Sequence, residues 1–310
     1  MKVLDSISHM KALLLPTIWL GLAAVSAGQT TPATAKPGIL ILAHGGSASW
    51  NDAVMSVARG VGEKYPVEVA FGMATRANIQ QGIDKLAAHG ATEVIAVPLF
   101  VSQHSSVITS TEYLLRQRDE MPPDLKVFAR MNHGTGSGAA HTPDEHGTHP
   151  VQTNLPIRMT KALGQHPIVA DILLSRAQSI SKDPAGEVVI LVAHGPSLEE
   201  ENRRWLADMK ALAGMMAAKR NFHRIDYLTV RDDAPAPIRD AAAKELRGVV
   251  EKAQAEGKRV LIVPLLLSFG GIEAGLKKRL EGLDYTLAPH ALLPDDRLAN
   301  WVLASAEAVK

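Results

Sequence analysis

Histidine is the residue type best placed to do chemistry in this chain of 310 residues, which holds 12 of them and no cysteine. Without cysteine there are no disulfides, thiolate zinc sites, cysteine-held iron–sulfur clusters or cysteine nucleophiles, and His, Asp and Glu are left as the strong protein ligands for a metal. His44 directly follows the apolar run Gly38-Ile-Leu-Ile-Leu-Ala43 and precedes Gly45 and Gly46. An imidazole with an ordinary pKa of about 6.5 can bind a divalent ion or accept a proton near neutral pH. The two glycines remove side-chain bulk, so a flat ligand can approach the main chain there. His104 follows a second apolar run, Glu93-Val-Ile-Ala-Val-Pro98-Leu-Phe-Val-Ser102. Alone, each histidine reads as a hydrogen-bonded residue at a strand terminus. Together, at the ends of adjacent strands, they can share one divalent cation.

Both runs recur. Val188-Val-Ile-Leu-Val-Ala-His194-Gly195 repeats the first and Arg259-Val-Leu-Ile-Val-Pro264-Leu-Leu-Leu-Ser268 repeats the second, in the same order and with a longer interval between them. This pattern implies an internal duplication. Continuous Val/Ile/Leu/Ala runs are the mark of strands buried on both faces of a parallel sheet. Helical patterns lie between them. In the first copy they are Trp50 to Lys64, with Ser47 or Ser49 as N-cap, Ile79 to His89 capped by Asn78, and a segment opening near Ser105 and Ser106. The second copy has Leu198 to Lys219, Ile238 to Glu256 and Gly270 to Leu280. Alternating strands and helices predict an α/β fold of two similar lobes, each an open parallel sheet flanked by helices. Ligands of such sheets bind beyond the carboxyl ends of the strands, where His44 and His104 fall. In the second copy His194 is kept, but Phe269-Gly-Gly-Ile-Glu273 stands where the first has Gln103-His104. Glu273 is either a carboxylate ligand or an ordinary acid early in a helix. One functional site is expected, mainly in the first lobe.

The expected domain plan is a signal peptide over residues 1–27, a linker over 28–37, lobe 1 over 38–130, a His-rich loop over 131–154, and lobe 2 with connecting helices over 155–310. Lys2 and Lys11 precede the apolar run Ala12 to Val25, which is short for a membrane span and ends in Val25-Ser26-Ala27. This predicts export, to a periplasm, with no stable membrane span after cleavage; an uncleaved N-terminal anchor is the alternative. In the loop, His133, His141, His146 and His149 lie among Gly, Thr, Pro, Asp144 and Glu145. A solvated insertion and a weak metal-collecting tract are both open readings. A formal charge of +1 with interspersed signs gives no basic stripe for nucleic acid. Neither His-Gly turn is a Gly-rich phosphate loop, which disfavours nucleotides. Oligomeric state is not legible here.

The His-Gly after the first strand, the Val-Pro-Leu-Phe/Leu-x-Ser segment and their repetition resemble the CbiX-type sirohydrochlorin chelatases, a class II chelatase family, over most of residues 38 to 310. The resemblance implies chelatase-like lobes and insertion of cobalt, with iron or nickel as alternatives, into sirohydrochlorin or a related tetrapyrrole of the cobalamin type. It implies no organic cofactor, the divalent metal being a substrate. Carried over residue by residue, it makes His44 and His104 metal ligands and proton acceptors, and His194 a degenerate counterpart of the first; Glu273 is a further candidate ligand. A heavily carboxylated ring demands cations and backbone N–H groups, for which Gly45, Gly46, Arg76 and Arg231 are candidates, the two arginines being placed after equivalent strands. The family's Gly-His-Gly-Ser has become Ala-His-Gly-Gly and Ala-His-Gly-Pro. An exported metal- or tetrapyrrole-binding protein of the same fold without turnover is the competing reading, favoured by the export signal, the His-rich loop and the altered second copy.

Overall fold

The sequence pattern of two lobes takes shape in a computed structural model that describes residues 36–130 and 147–309. The expected signal peptide, nearly all of the linker, and His133, His141 and His146 lie outside the described residues. In the first lobe β1 (Pro37–Ala43), α1 (Ala48–Gly62), β2 (Val67–Phe71), α2 (Arg76–Ala88), β3 (Glu93–Pro98), α3 (Ser106–Leu114) and the short α4 (Leu125–Phe128) are followed by β4 (Ile157–Met159) and α5 (Pro167–Ile180). The second lobe runs β5 (Glu187–Ala193), α6 (Glu199–Ala217), β6 (Arg224–Thr229), α7 (Ala236–Ala255), β7 (Arg259–Leu265), α8 (Ile272–Arg279), β8 (Thr286–Leu287) and α9 (Arg297–Glu307). Each lobe has a four-stranded parallel sheet, in the orders β2-β1-β3-β4 and β6-β5-β7-β8. The expected fold class is therefore present. Every residue of β1 and of β5 is buried, which is why both strands read as unbroken apolar runs.

Two details differ from the sequence reading. Helix α2 starts at Arg76 with Thr75 as its N-cap, and Asn78 instead donates its side-chain amide to the Phe71 carbonyl at 2.6 Å. Strand β4 lies within the stretch expected for the second lobe yet pairs with β3, so the first sheet continues past residue 154. Its three residues carry too little apolar pattern to mark a strand.

The largest core lies between the sheets. Ile39 and Ile41 of β1, Val54 and Val61 of α1, Val189 and Leu191 of β5, Met209 and Met216 of α6, and buried residues of α5 and α9 all belong to it. The closing helices are exchanged: α5 packs on β7 and α6 of the second lobe, and α9 packs on α1 and β3 of the first. A Cβ added at Gly60 of α1 would lie 2.9 Å from Ala299 Cβ of α9, so glycine sets this close helix approach. Arg176 of α5 donates to the carbonyls of Ala291 (2.8 Å), Leu292 (3.0 Å) and Pro294 (2.7 Å), fixing the chain that leads into α9.

Glu187 opens β5 with a side chain that is 0% exposed. It accepts from Ser181 Oγ (2.5 Å), Lys182 N (2.8 Å) and Asp183 N (3.3 Å), and pairs with Arg259 on β7. Burial pushes its pKa up, but these donors and Arg259 hold it below the ordinary value. Glu187→Gln should lower stability by about 2 kcal/mol at neutral pH, as expected for charge-assisted hydrogen bonds. Because the folded pKa is depressed, the ionised group's contribution is full above its ordinary pKa of about 4.5 and is lost as pH falls through the lower folded value. Urea unfolding of both proteins between pH 7 and 3 should show the difference shrinking toward the acid end; a pH-independent difference would contradict this role.

Candidate functional site

Strands β1 and β3 are hydrogen-bonded neighbours, with Leu42 registered against Pro98, so the residues that follow them emerge at one edge of the sheet. His44 follows β1 directly and is exposed. Its Nδ1 lies 2.6 Å from the Gly45 carbonyl, and a proton donated there leaves the ring's lone pair on Nε2. Gly45 has φ +83°, a left-handed backbone that favours glycine, and a Cβ there would meet Phe71 Cβ at 3.3 Å. Gly46 donates its N–H to Asn51 Oδ1 at 2.9 Å. Ser47 caps α1 by accepting from Trp50 N at 3.3 Å. Trp50, buried in the central core, presents its ring to His44 at 6.3 Å between centroids. The second lobe approaches the same tryptophan, because a Cβ on Gly270 of the β7–α8 loop would lie 3.7 Å from Trp50 Cδ1.

His104 sits just before α3 and lines an open cavity of about 740 Å³ with Gln103, Glu112, Arg118, Thr160 and Lys161 among its walls. A cavity of this size suits an organic ligand of several hundred Å³. Arg118 Nε lies 3.7 Å from Glu112 Oε2. The two cations suit carboxylates on a bound molecule. His44 is not among the residues lining this cavity. Among the described residues no group of three or more His, Asp and Glu side chains is arranged to hold a metal ion. The structure thus brings His44 and His104 to one sheet edge without uniting them in a multi-ligand cage.

The backing of His104 comes from the other lobe. Trp205 Nε1 on α6 donates to the His104 carbonyl at 3.1 Å. Asp208, one turn further along α6, places Oδ2 3.7 Å from His104 Nε2. Burial raises the Asp208 pKa, and His104 opposes the shift. Sequence reasoning missed Asp208, although a signal was present. It is an acid on the apolar stripe formed by Trp205, Met209, Leu212 and Met216. Lys161 and Thr160 were missed because they follow β4, whose membership in the first sheet was not visible.

The other candidates are placed as follows. His194 lies after β5 as His44 lies after β1, and its Nε2 is 3.3 Å from Asp233 Oδ2, a carboxylate that is 79% exposed. Glu273 accepts from Gly270 N (3.2 Å) and Gly271 N (3.0 Å), capping the start of α8. Arg76 is the first residue of α2 and its Nε donates to the His149 carbonyl at 3.1 Å. Arg231 occupies a different place, two residues beyond β6 and ahead of α7, so the two arginines are not equivalent. Its buried guanidinium donates to Pro196 O (3.1 Å), Ser197 O (2.8 Å) and Glu199 Oε2 (2.6 Å). It clamps the turn after His194, and its donors are committed to these acceptors. Its φ of +51° adds a strained backbone to that clamp.

Residues 38–180 match the CbiX family. The chain is similar to a sirohydrochlorin cobaltochelatase from Methanococcoides burtonii, 27% identical over 151 residues that cover 47% of this chain and 97% of the relative. Its fold is similar to SirB from Bacillus subtilis, solved with Fe3+, at a TM-score of 0.60 and 17% identity, covering 88% of this chain and 94% of that one. It is also similar to DR2241 from Deinococcus radiodurans, a multi-domain protein described as structurally similar to chelatases, at a TM-score of 0.52 and 19% identity, covering 88% of this chain and 54% of that one. The family match begins in β1 and ends with α5, and so spans one complete set of four strands and their helices.

If Arg231 clamps the turn after His194, Arg231→Ala should cost about 2 kcal/mol through carbonyls left without donors. It should also speed amide hydrogen exchange at Ser197 and Glu199. Exchange rates equal to those of the parent protein would remove the clamp.

Proposed function

We propose that this chain is a CbiX-type class II chelatase that inserts a divalent metal into sirohydrochlorin or a closely related carboxylated tetrapyrrole, with cobalt as the first candidate and iron or nickel as alternatives. The observation that carries the proposal is His104 on the wall of the 740 Å³ cavity beside Arg118 and Lys161, at the sheet edge that also carries His44. In this reading the tetrapyrrole enters that cavity with carboxylates toward Arg118 and Lys161 and extends out of it, along the carboxyl ends of β3 and β1, toward His44. The metal is substrate, not resident cofactor. The reaction breaks two inner N–H bonds, forms bonds from the ring nitrogens to the metal, and releases two protons. His44 and His104 are assigned to hold the incoming ion and to accept those protons. An imidazole suits both tasks because its proton affinity lies near neutral and it exists in two tautomers. The partly covered Gly45 and the exposed Gly46, which carry no side chains, leave room for a flat ring at the main chain. His194 and Glu273 are assigned no part in turnover, given their contacts with Asp233 and with the start of α8.

The proposed location is outside the cytoplasm, on the strength of the charged and apolar segment before residue 28. Among the described residues, no helix is long and apolar enough to cross a membrane.

The test is cobalt, iron and nickel insertion into sirohydrochlorin followed by the tetrapyrrole absorbance. His44→Ala and His104→Ala should each slow the wild-type rate by about 100-fold or more, the range of a lost general base or ligand, with unchanged circular dichroism. His194→Ala should stay within about twofold. Lys161→Ala and Arg118→Ala should raise KM for the tetrapyrrole by about tenfold with little change in kcat, as loss of one charge-assisted contact predicts. Binding of cobalt or tetrapyrrole in stoichiometric amount, with no insertion by the wild type, would replace the enzyme reading by that of a binding protein.

A further inference from the structure

We infer that Asp208 on α6 of the second lobe is a positioning residue for His104 of the first, fixing the tautomer that His104 presents to the cavity. As a statement about turnover this rests on the reading of His104 as ligand and proton acceptor. As a statement about geometry it stands on contacts alone.

Three observations meet at this point. Asp208 is 8% exposed, and its Oδ2 is enclosed with no hydrogen-bond partner among the described residues, standing 3.7 Å from His104 Nε2. A carboxylate oxygen in such surroundings is costly and is expected to have a polar counterpart. The imidazole is the group that faces it. Second, Trp205, on the preceding turn of α6, holds the His104 main chain through its indole N–H at 3.1 Å. One helix therefore contacts both the backbone and the ring of a residue in the other lobe. Third, Gly164 of the first lobe, with φ +47°, lies against the carboxylate, since a Cβ there would lie 3.7 Å from Asp208 Oδ2 and 3.6 Å from the Gln103 side chain.

A carboxylate beside Nε2 favours the proton on that nitrogen and leaves the lone pair on Nδ1, as partners of ligating histidines do in metal sites. When a tetrapyrrole N–H breaks, its electron pair stays on the ring nitrogen and the proton forms an Nδ1–H bond. The resulting imidazolium is then paired with Asp208. His44, whose Nδ1 is engaged by the Gly45 carbonyl, offers Nε2 instead. The two histidines would thus present different nitrogens, each fixed by a different kind of partner.

The experiment uses the full chain. Ring 15N shifts of His104, assigned by their loss in His104→Gln, are recorded in the wild type, in the isosteric Asp208→Asn and in Asp208→Ala, alongside steady-state cobalt insertion. Wild-type His104 should be protonated on Nε2, and Asp208→Ala should move its two nitrogens toward a tautomer average. In both variants kcat should fall by about 10- to 100-fold, with KM for the tetrapyrrole within twofold. If the wild type has no turnover, the chelatase reading fails while the ring spectra still decide the positioning. A wild-type ring protonated on Nδ1, or an active enzyme whose kcat is the same in all three proteins, would overturn the inference without touching the chelatase reading.

Discussion

Each sheet has two faces to cover, and on the inner side neither lobe does so with its own chain alone. The helix that ends the first set of elements, α5, lies on β7 and α6 of the second lobe, while α9 returns to α1 and β3 of the first. Burial of these inner faces is a hydrophobic requirement of order 25 cal/mol for every Å² removed from water, and here it is met only when both lobes are present. The largest core consequently draws residues from β1, α1, β5, α6, α5 and α9 at once. Close approach of α1 to α9 at Gly60 and Ala299, and the three carbonyls held by Arg176, set the geometry of this exchange.

That mutual covering brings the carboxyl-end loops of one sheet next to the other lobe. Gly270 reaches Trp50, whose ring stands beside His44, and α6 reaches His104 through Trp205 and Asp208. The site is therefore a product of the interface, even though both histidines belong to the first lobe. A loop histidine held only by its neighbours in sequence would have many orientations. One backed by a helix of a packed core has few, which favours defined placement of its ring nitrogens.

The lobes share an order of elements but differ in how they use it. After β1 the chain is exposed from His44 onward, apart from the partly covered Gly45, until Trp50 turns inward. After β5 the corresponding turn is tied down by Arg231 and by the His194–Asp233 contact. Glu273 is likewise committed, to the first turn of α8. These are local electrostatic differences on a shared scaffold, and they leave the first lobe as the one with an accessible histidine turn. The match of residues 38–180 to the CbiX family and the similarity of fold to SirB agree with this scaffold.

Much of the scaffold was legible in the residues. Unbroken apolar runs marked β1, β3, β5 and β7, because strands buried on both faces leave no alternation to read. Helical periodicity located α1, α6 and α7 to within a few residues, and the His-Gly turns marked the carboxyl ends of β1 and β5. The start of α2 was displaced because Asn78, a good cap by type, serves the end of β2 instead. Strand β4 was illegible, since three residues carry no period. What tertiary structure alone decided is which surfaces meet: the exchange of α5 and α9, the cavity that joins His104 to Lys161, and the carboxylate of Asp208 behind the imidazole. Sequence periodicity reports which face of an element avoids water. It does not report which distant element supplies the cover, because that depends on contacts between residues far apart in the chain.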